Sequence, residues 1–264
     1  ITLEENKPYY IVGIQSDGRV SESKMLLDTG NSDALWIFLN RTESIQLPQK
    51  FIQDYLGMGF SGKVYGKRGK IEGFTFGNEF FEFPYAAFPD WTSVKSMNFV
   101  SNRVGSIGAD AISRFCVIFD YENQKMYTRA GKRLKEPFKY NVSGIQVEHA
   151  GLEWVKETYE EGGNKGITIN NNSADDEAPA NLKVRFKLKP VFIIADLRPG
   201  SEAAAAGLEI GDKILTINNK NAQGYSMERV RELLKSAEGK TLEIEVERNG
   251  KAYQFKFQLK KDYL

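Results

Sequence analysis

Alternation of apolar and polar residues, interrupted by turn residues, dominates the first half of the chain. Asp17-Gly18 and Gly77-Asn78 have the composition of tight turns between such alternating stretches. The predicted strands share a two-residue period and are residues 8–14, 20–27, 74–76 and 80–83. Residues 48–56 instead place apolar side chains at helical spacing, which predicts a short helix. The first half is therefore expected to be mainly β.

The last third of the chain repeats the strand signal and adds one clear helix. Residues 242–246 and 253–259 alternate on either side of Asn249-Gly250, which predicts a hairpin. Ser226 precedes residues 227–234, where apolar side chains recur on one face. A serine hydroxyl satisfies an unpaired amide of the first helical turn, so Ser226 is predicted to cap this helix.

A change in composition divides the two β-rich parts. Residues 158–181 are rich in Gly, Asn, Asp and Glu, as in a long polar insertion. A chain of 264 residues suits two domains, each with its own core. We therefore predict one domain over residues 1–142 and a second over residues 143–264, with the polar insertion near 158–181.

Charge and composition exclude several function classes. Thirty-six basic and 35 acidic residues leave a net charge of +1, which gives no field for binding nucleic acid. No apolar run approaches the roughly 20 residues of a membrane-spanning helix, so no transmembrane segment is expected. The single cysteine, Cys116, lies in an apolar run and is predicted to be a buried strand residue.

An acidic residue interrupts the apolar run that ends the second predicted strand. Residues 25–27 are apolar, Asp28-Thr29-Gly30 follows, and the apolar pattern resumes at residues 34–37. Burying an ionised carboxylate in a core without partners costs roughly several kcal/mol or more of free energy. We therefore expect residues 26–27 to deliver Asp28 to a strand end, where Thr29 and Gly30 form a loop that orients it.

This stretch resembles the active-site loop of the aspartic proteases, the pepsin and retroviral protease families. Residues 104–127 strengthen the resemblance, since they are similar to the end of the second lobe of pepsin-like enzymes. There an apolar-Gly pair threads behind the catalytic loop, a short helix follows and a hairpin closes the lobe. The sequence departs from the family at Asn31, where Ser, Thr or Ala is usual.

The resemblance implies an acid-protease-like β-barrel lobe in which Asp28 is catalytic and Thr29 and Gly30 hold its carboxylate. Such enzymes use two carboxylates that share one proton and activate a water molecule to attack a peptide carbonyl. The sequence contains Asp-Thr-Gly once. The second carboxylate is expected from an upstream lobe or from a homodimer partner. The upstream lobe is favoured, because the resemblance is to a second lobe and the sequence starts at Ile1 without Met.

Residues 191–259 resemble a PDZ domain of the kind attached to bacterial proteases. The elements that carry this likeness occur in order and are Ser201-x-Ala203, Ala206-Gly207-Leu208 and Gly211-Asp212-x-Ile214. The resemblance implies a β-sandwich or barrel with one or two helices that takes a peptide as an added strand. The expected peptide-binding residues lie on one strand and one helix and are Val191, Phe192, Ile193, Val230 and Leu234. The glycine-rich carboxylate loop of the family is not evident, since residues 186–190 end in Pro190, which has no amide donor.

Two function hypotheses follow from these resemblances. The first is an aspartic peptidase whose PDZ domain captures a polypeptide substrate or peptide ligand. The alternative is a non-catalytic peptide-binding or scaffold protein with a protease-like lobe. Neither requires a cofactor, and the isolated His149 is a poor metal ligand or general base. Gly57–Gly62 matches a dinucleotide fingerprint by letter, but the strand-like residues after it argue against nucleotide binding. The family resemblance implies a bacterial protein outside the cytoplasm, periplasmic or secreted.

Overall fold

The computed structural model describes residues 1–59, 62–160, 182–235 and 238–260. The chain divides into two compact units. The first comprises Ile1–Val142 together with Lys260–Leu264, and the second comprises Ser143–Leu259. Both are built mainly from β-strands.

The first unit contains twelve described strands and two short helices. Its strands are β1 (Thr2–Glu4), β2 (Lys7–Ser16), β3 (Arg19–Asp28), β4 (Leu35–Ile37), β5 (Phe51–Gly59), β6 (Gly62–Lys70), β7 (Gly73–Phe76), β8 (Glu79–Glu82), β9 (Tyr85–Pro89), β10 (Arg103–Gly108), β11 (Phe115–Asp120) and β12 (Lys125–Ala130). The helices are α1 (Trp91–Val94) and α2 (Ala109–Ile112), and Leu39–Arg41 form a 3₁₀ turn.

Within the described residues, ten of these strands form one sheet. Its order is β5-β6-β9-β4-β10-β3-β2-β7-β8, with β1 added to β2, while β11 and β12 pair separately. Alternate residues of β2 and β3 are buried, as their two-residue period predicts. The core holds apolar side chains from most of the strands and includes Ile14, Met25, Leu35, Phe74, Phe76 and Ile107.

The helix predicted over residues 48–56 is wrong, because Phe51–Gly59 form strand β5. This strand pairs antiparallel with β6 and buries Ile52, Asp54 and Leu56 on one side. Its two-residue period was hidden because the middle buried residue is an aspartate. Asp54 is accepted in the interior because it forms an ion pair with Arg68, at 2.9 Å between Oδ2 and Nε.

The prediction that Cys116 is buried is also wrong, since its side chain is exposed. Strand β11 alternates, and Phe115, Val117 and Phe119 are the side chains that pack against the core. Cys116 and Ile118 lie on the opposite face of the two-stranded sheet. The apolar run predicted burial of both faces of this strand, whereas only one face is covered.

The second unit contains six described strands in one sheet and two α-helices. Its elements are β13 (Ile145–Glu160), β14 (Leu182–Leu197), α3 (Glu202–Ala205), β15 (Lys213–Ile217), β16 (Lys220–Asn221), α4 (Met227–Leu234), β17 (Thr241–Arg248) and β18 (Lys251–Gln258). The sheet order is β13-β14-β15-β17-β18, with β16 added to β15. Ser226 caps α4 as predicted, since its hydroxyl accepts a hydrogen bond from Arg229 N. Among the described residues no helix has the length and apolar character needed to cross a membrane.

Strands β13 and β14 continue well past the rest of their sheet. They pair from Ile145↔Leu197 to Glu160↔Leu182, so β13 extends three residues into the predicted polar insertion. Residues 161–181 of that predicted insertion lie outside the described residues. We call residues 152–157 of β13 and 184–190 of β14 the ribbon. On one of its faces Glu157 forms ion pairs with Arg185, Lys187 and Lys189.

These cations affect the titration of Glu157. Hydrogen bonds from Lys189 above all, and also from Arg185 and Lys187, lower the pKa of Glu157 to about 2. The pKa in the folded protein thus lies below the unfolded value. The ion pairs therefore stabilise the fold fully above the unfolded pKa, and this contribution is lost as the pH falls toward 2.

We expect Glu157→Gln to lower the free energy of unfolding at pH 7 by about 1 kcal/mol or less, because the cluster is partly exposed. The difference from wild type should shrink below pH 4.5 and vanish near pH 2. Melting temperatures of both proteins between pH 7 and pH 2 measure it. Glu148→Gln, at an exposed position of the same strand, is the control. A constant difference at every pH would contradict the assignment.

Candidate active site and peptide-binding edge

Asp28 is the last residue of β3 and lies at the start of an exposed loop. Gly30 N donates a hydrogen bond to Asp28 Oδ1 at 3.0 Å, and Asn31 N donates to Asp28 O at 3.2 Å. The loop amides thus fix one carboxylate oxygen at the strand end. Thr29 is exposed, and the described part of the chain supplies no hydrogen bond to its hydroxyl.

Strand β10 passes between the two strands that flank this loop. It runs parallel to β3, with Gly108 opposite Asp28, and antiparallel to β4, with Ile107 opposite Leu35. The loop and the end of β10 are joined by hydrogen bonds, from Gly108 N to Ala34 O at 2.9 Å and from Ala109 N to Asn31 O at 2.6 Å. The predicted threading of an apolar-Gly pair behind the Asp28 loop is therefore present.

The glycine at this crossing is required by the close approach of two backbones. A Cβ atom on Gly108 would lie 2.1 Å from Asp33 O and 2.7 Å from Asn31 O. Both neighbours are backbone atoms, so they cannot turn aside as a flexible side chain would. The position excludes any larger residue without displacement of the Asp28 loop.

We expect Gly108→Ala to lower the free energy of unfolding by about 1–3 kcal/mol, because the added methyl group overpacks the crossing. A urea titration of both proteins measures the change. Gly59→Ala is the matched control, since a Cβ there would meet Val64 Cγ2 at an ordinary 3.5 Å. Equal stability of the two variants would mean that the crossing tolerates a side chain.

Asn31, the departure from the family pattern, turns its side chain into its own loop. It is 8% exposed, and its Oδ1 accepts a hydrogen bond from Asp33 N at 3.0 Å. Its Nδ2 is buried without a hydrogen-bond partner among the described residues. This residue therefore supports the loop backbone, at the cost of one unsatisfied donor.

A buried ion triad ties the Asp28 loop to the β5–β6 hairpin. Arg68, 7% exposed, donates to Asp33 Oδ1 at 2.5 Å and to Asp54 Oδ2 at 2.9 Å. Trp36 Nε1 donates to Asp33 Oδ2 at 2.8 Å. Burial acts to lower the pKa of Arg68, but the two carboxylates outweigh it and the pKa is raised. Local sequence pattern does not indicate this network, because its members lie up to 35 residues apart.

The predicted peptide-binding strand does not have a free edge. Residues 191–195 belong to β14, which pairs with β13 on one side. On the other side Ile193 pairs with Lys213, and Ile194 exchanges backbone hydrogen bonds with Gly211 and Asp212 at 2.8 and 2.9 Å. The expectation that Val191, Phe192 and Ile193 offer an unpaired edge is wrong.

The edge strand beside the helix is β13. Among the described residues it pairs with β14 alone, and α4 lies next to it. Ser143 N, just before the strand, donates to Leu234 O at 3.4 Å. Val230 is fully buried and Leu234 is 2% exposed, so both belong to the core. The predicted role of Val230 as an open groove residue is therefore not compatible with its burial.

Other chemistry within the described residues is limited. The described residues contain no group of three or more His, Cys, Asp or Glu side chains arranged to hold a metal ion. His149, the single histidine of the sequence, lies exposed on β13. Its Nδ1 accepts a hydrogen bond from Gly151 N at 3.2 Å, and its ring packs edge-on against Phe192.

Comparisons with known proteins identify the second unit. The PDZ domain family model matches residues 193–248. No curated protein matches the chain. Among solved structures, an HtrA-type protease AlgW with decapeptide has a TM-score of 0.27 at 11% identity, over 98% of this chain and 63% of that chain. The serine endoprotease from Yersinia pestis has a TM-score of 0.25 at 14% identity, over 98% of this chain and 66% of that chain.

The chain thus spans less than two thirds of the length of AlgW. TM-scores this low do not support assigning the catalytic mechanism of those enzymes to this chain. The elements of the PDZ resemblance lie in and around α3 and reach the start of β15, and the match begins within β14 and extends to the end of β17. The chain is mainly β, and its second unit contains a PDZ domain.

Proposed function

We propose that this chain supplies half of an aspartic peptidase active site, joined to a PDZ domain that captures the substrate polypeptide. The observation that carries the proposal is the placement of Asp28 at the end of β3, with Gly108 of the parallel strand β10 directly beside it. This arrangement holds a carboxylate at the surface on a rigid strand end. General acid–base catalysis requires a catalytic group held in a fixed position, and backbone hydrogen bonds hold this loop in place.

In the proposed reaction Asp28 and a second carboxylate share one proton. The ionised member takes a proton from a water molecule, whose oxygen attacks the peptide carbonyl. The protonated member donates its proton to the carbonyl oxygen, which gives a tetrahedral diol. Transfer of a proton to the nitrogen and cleavage of the C–N bond then release an amine and an acid. Residues 28–30 provide one side of this pair, and an upstream lobe or a second copy of the chain provides the other.

A serine mechanism finds no support in the first unit. A Ser-His-Asp triad needs a histidine as the base, and the sequence has only His149, which lies in the second unit. The proposal therefore keeps Asp28 as the reactive group, although the structures reported above are serine proteases.

For peptide capture we propose the edge of β13 beside α4 in place of residues 191–193. A peptide that adds to this edge would follow Ile145 to His149 as an extra strand. The turn before the strand contains Gly144 at φ +74°, and we propose it as the carboxylate loop that was not evident in residues 186–190. Leu234, at the end of α4, forms part of the buried floor next to this turn.

Inhibitor chemistry tests the peptidase proposal in the native assembly, whether that is a longer chain or a dimer. Hydrolysis of a mixed fluorogenic peptide library should be blocked by a statine peptide, whose hydroxyl mimics the tetrahedral intermediate. A serine-directed fluorophosphonate should have no effect. Inhibition by the fluorophosphonate, or hydrolysis insensitive to the statine peptide, would overturn the aspartic mechanism.

The second candidate is a peptide-binding scaffold without catalysis. One observation favours it: the sequence holds a single Asp-Thr-Gly loop, and Thr29 and Gly30 in that loop are exposed. A native assembly that binds peptides but cleaves none would support this candidate. An extracytoplasmic location is proposed from the family resemblance, and cell fractionation tests it.

A further inference from the structure

The ribbon carries most of its apolar side chains on one face, and Val155 alone lies on the other among its described residues. Cross-strand pairs place Leu152 opposite Pro190, Trp154 opposite Leu188 and Lys156 opposite Phe186. Paired residues share a face, and alternate residues along a strand do the same. The exposed apolar face therefore consists of Leu152, Trp154, Val184, Phe186 and Leu188. Trp154 is 67% exposed and Phe186 is 63% exposed.

This face continues the side of the sheet that forms the core of the second unit. On β14 the same alternation leads back from Leu188 to Phe192 and Ile194, which are 2% and 0% exposed. On β13 a bulge between His149 and Leu152 shifts the alternation by one residue, so that both side chains lie on this face. Apolar residues thus recur along one face, and the described residues cover only its inner part.

Ion pairs on the opposite face link the two strands of the ribbon. Glu157 binds three cations of β14, and Glu153 binds Lys213 of β15 at 2.6 Å. These contacts tie the two strands to each other and to the sheet. An isolated two-stranded ribbon is only marginally stable in water, so the charged face preserves a surface that is ready for a partner.

From this continuity we propose that the ribbon is an extension of the peptide-binding edge, which selects polypeptides with apolar residues at every second position. The proposal rests on the peptide capture proposed above for β13. A ligand strand that starts beside α4 would follow the same edge strand past residue 149 onto the ribbon. Its alternate side chains would then lie beside Leu152 and Trp154. The single strand β13 would then bind both the free carboxyl-terminal residue of the ligand and the apolar residues upstream of it.

Size and composition favour this occupant over the alternatives. The exposed parts of the five apolar side chains sum to on the order of 500 Å². Two copies face to face would bury about 1,000 Å², short of the ~1,200–2,000 Å² of stable specific interfaces. A strand added to β13 would cover mainly Leu152 and Trp154, and a peptide already anchored beside α4 needs less contact area here than a free partner does. Residues 161–181, which connect the ribbon strands, contain only Ile167 and Ile169 as large apolar residues.

Three peptide probes test the proposal with the full chain. The first is a pool of acetylated pentapeptides with free carboxyl-terminal Val, Leu, Ile, Ala or Phe. The second adds Leu-Ser-Leu-Ser-Leu-Ser-Leu at the amino end of each, and the third adds only Ser and Gly. We expect the second pool to bind at least tenfold more tightly than the third, as measured by fluorescence anisotropy.

Trp154→Ser and Leu152→Ser, both on the edge strand β13, should each remove most of this gain and leave binding of the pentapeptides unchanged. Ile210→Ser, at an exposed apolar position of the second unit outside the ribbon, is the matched control and should keep the gain. Because all three side chains are exposed, the variants should retain the far-ultraviolet circular dichroism and melting transition of wild type.

Equal affinity of the second and third pools, with the pentapeptides bound, would overturn the ribbon proposal and leave the peptide-binding edge intact. Failure of every pool to bind would overturn both. A dimer in sedimentation that Trp154→Ser dissociates would assign the face to a second copy and overturn the proposal. Binding to phosphatidylcholine–phosphatidylglycerol vesicles that Trp154→Ser abolishes, without a gain for the second pool, would assign it to lipid with the same consequence.

Discussion

Asp28→Asn should reduce peptide hydrolysis by the native assembly at least about 10³-fold, because an amide cannot exchange the shared proton. The fold should be retained, since the asparagine Oδ1 can still accept the hydrogen bond that Gly30 N donates. Initial rates with a fluorogenic peptide, measured together with urea unfolding, separate the two effects.

Asp17→Asn provides the matched control for the loss of one charge. Asp17 is exposed in the β2–β3 turn at φ +51°, a conformation that asparagine also accepts. Its variant should keep full activity. Equal activity of the wild type and the Asp28 variant would remove Asp28 from the mechanism.

Arg68→Met should lower the free energy of unfolding by about 3–5 kcal/mol, the largest stability effect that we expect. The substitution removes the cation between Asp33 and Asp54 and leaves the buried Asp54 and the largely buried Asp33 without it. Because Asp33 lies in the loop that Asp28 begins, activity should fall together with stability. Urea titration measures the first effect.

Lys67→Met is the control, since it removes one positive charge from the neighbouring position of β6, where the side chain is partly exposed. It should cost under about 1 kcal/mol. Adding Asp33→Asn and Asp54→Asn to Arg68→Met should recover part of the loss, because no charge is then left buried. Similar costs for the Arg68 and Lys67 variants would contradict a structural role of the triad.

The sequence predicted the parts of the fold in which local pattern and tertiary packing agree. The turns at Asp17-Gly18 and Asn249-Gly250 lie between paired strands, as their composition indicated. The position of Asp28 at a strand end followed from the cost of burying a charge in an apolar run. A glycine within residues 104–127 was predicted at a close backbone crossing, and Gly108 lies at such a crossing.

The failures occurred where distant residues decide the outcome. Buried Asp54 disguised β5 as a helix, because its partner Arg68 could not be recognised from local pattern. The edge strand β13 was missed because residues 161–181 separate it from β14, and the recognisable PDZ elements begin only within β14. The peptide-binding role was therefore assigned to β14, which has the clearer sequence signal, instead of to its neighbour β13.

The distance between Asp28 and a second carboxylate in the native assembly tests the central claim most directly. A crystal structure of the active, native protein should place a carboxylate oxygen of another Asp-Thr-Gly loop within about 3 Å of the Asp28 carboxylate. That loop would belong to an upstream lobe or to a second copy. An assembly that hydrolyses peptides while Asp28 has no second carboxylate within reach would contradict the account.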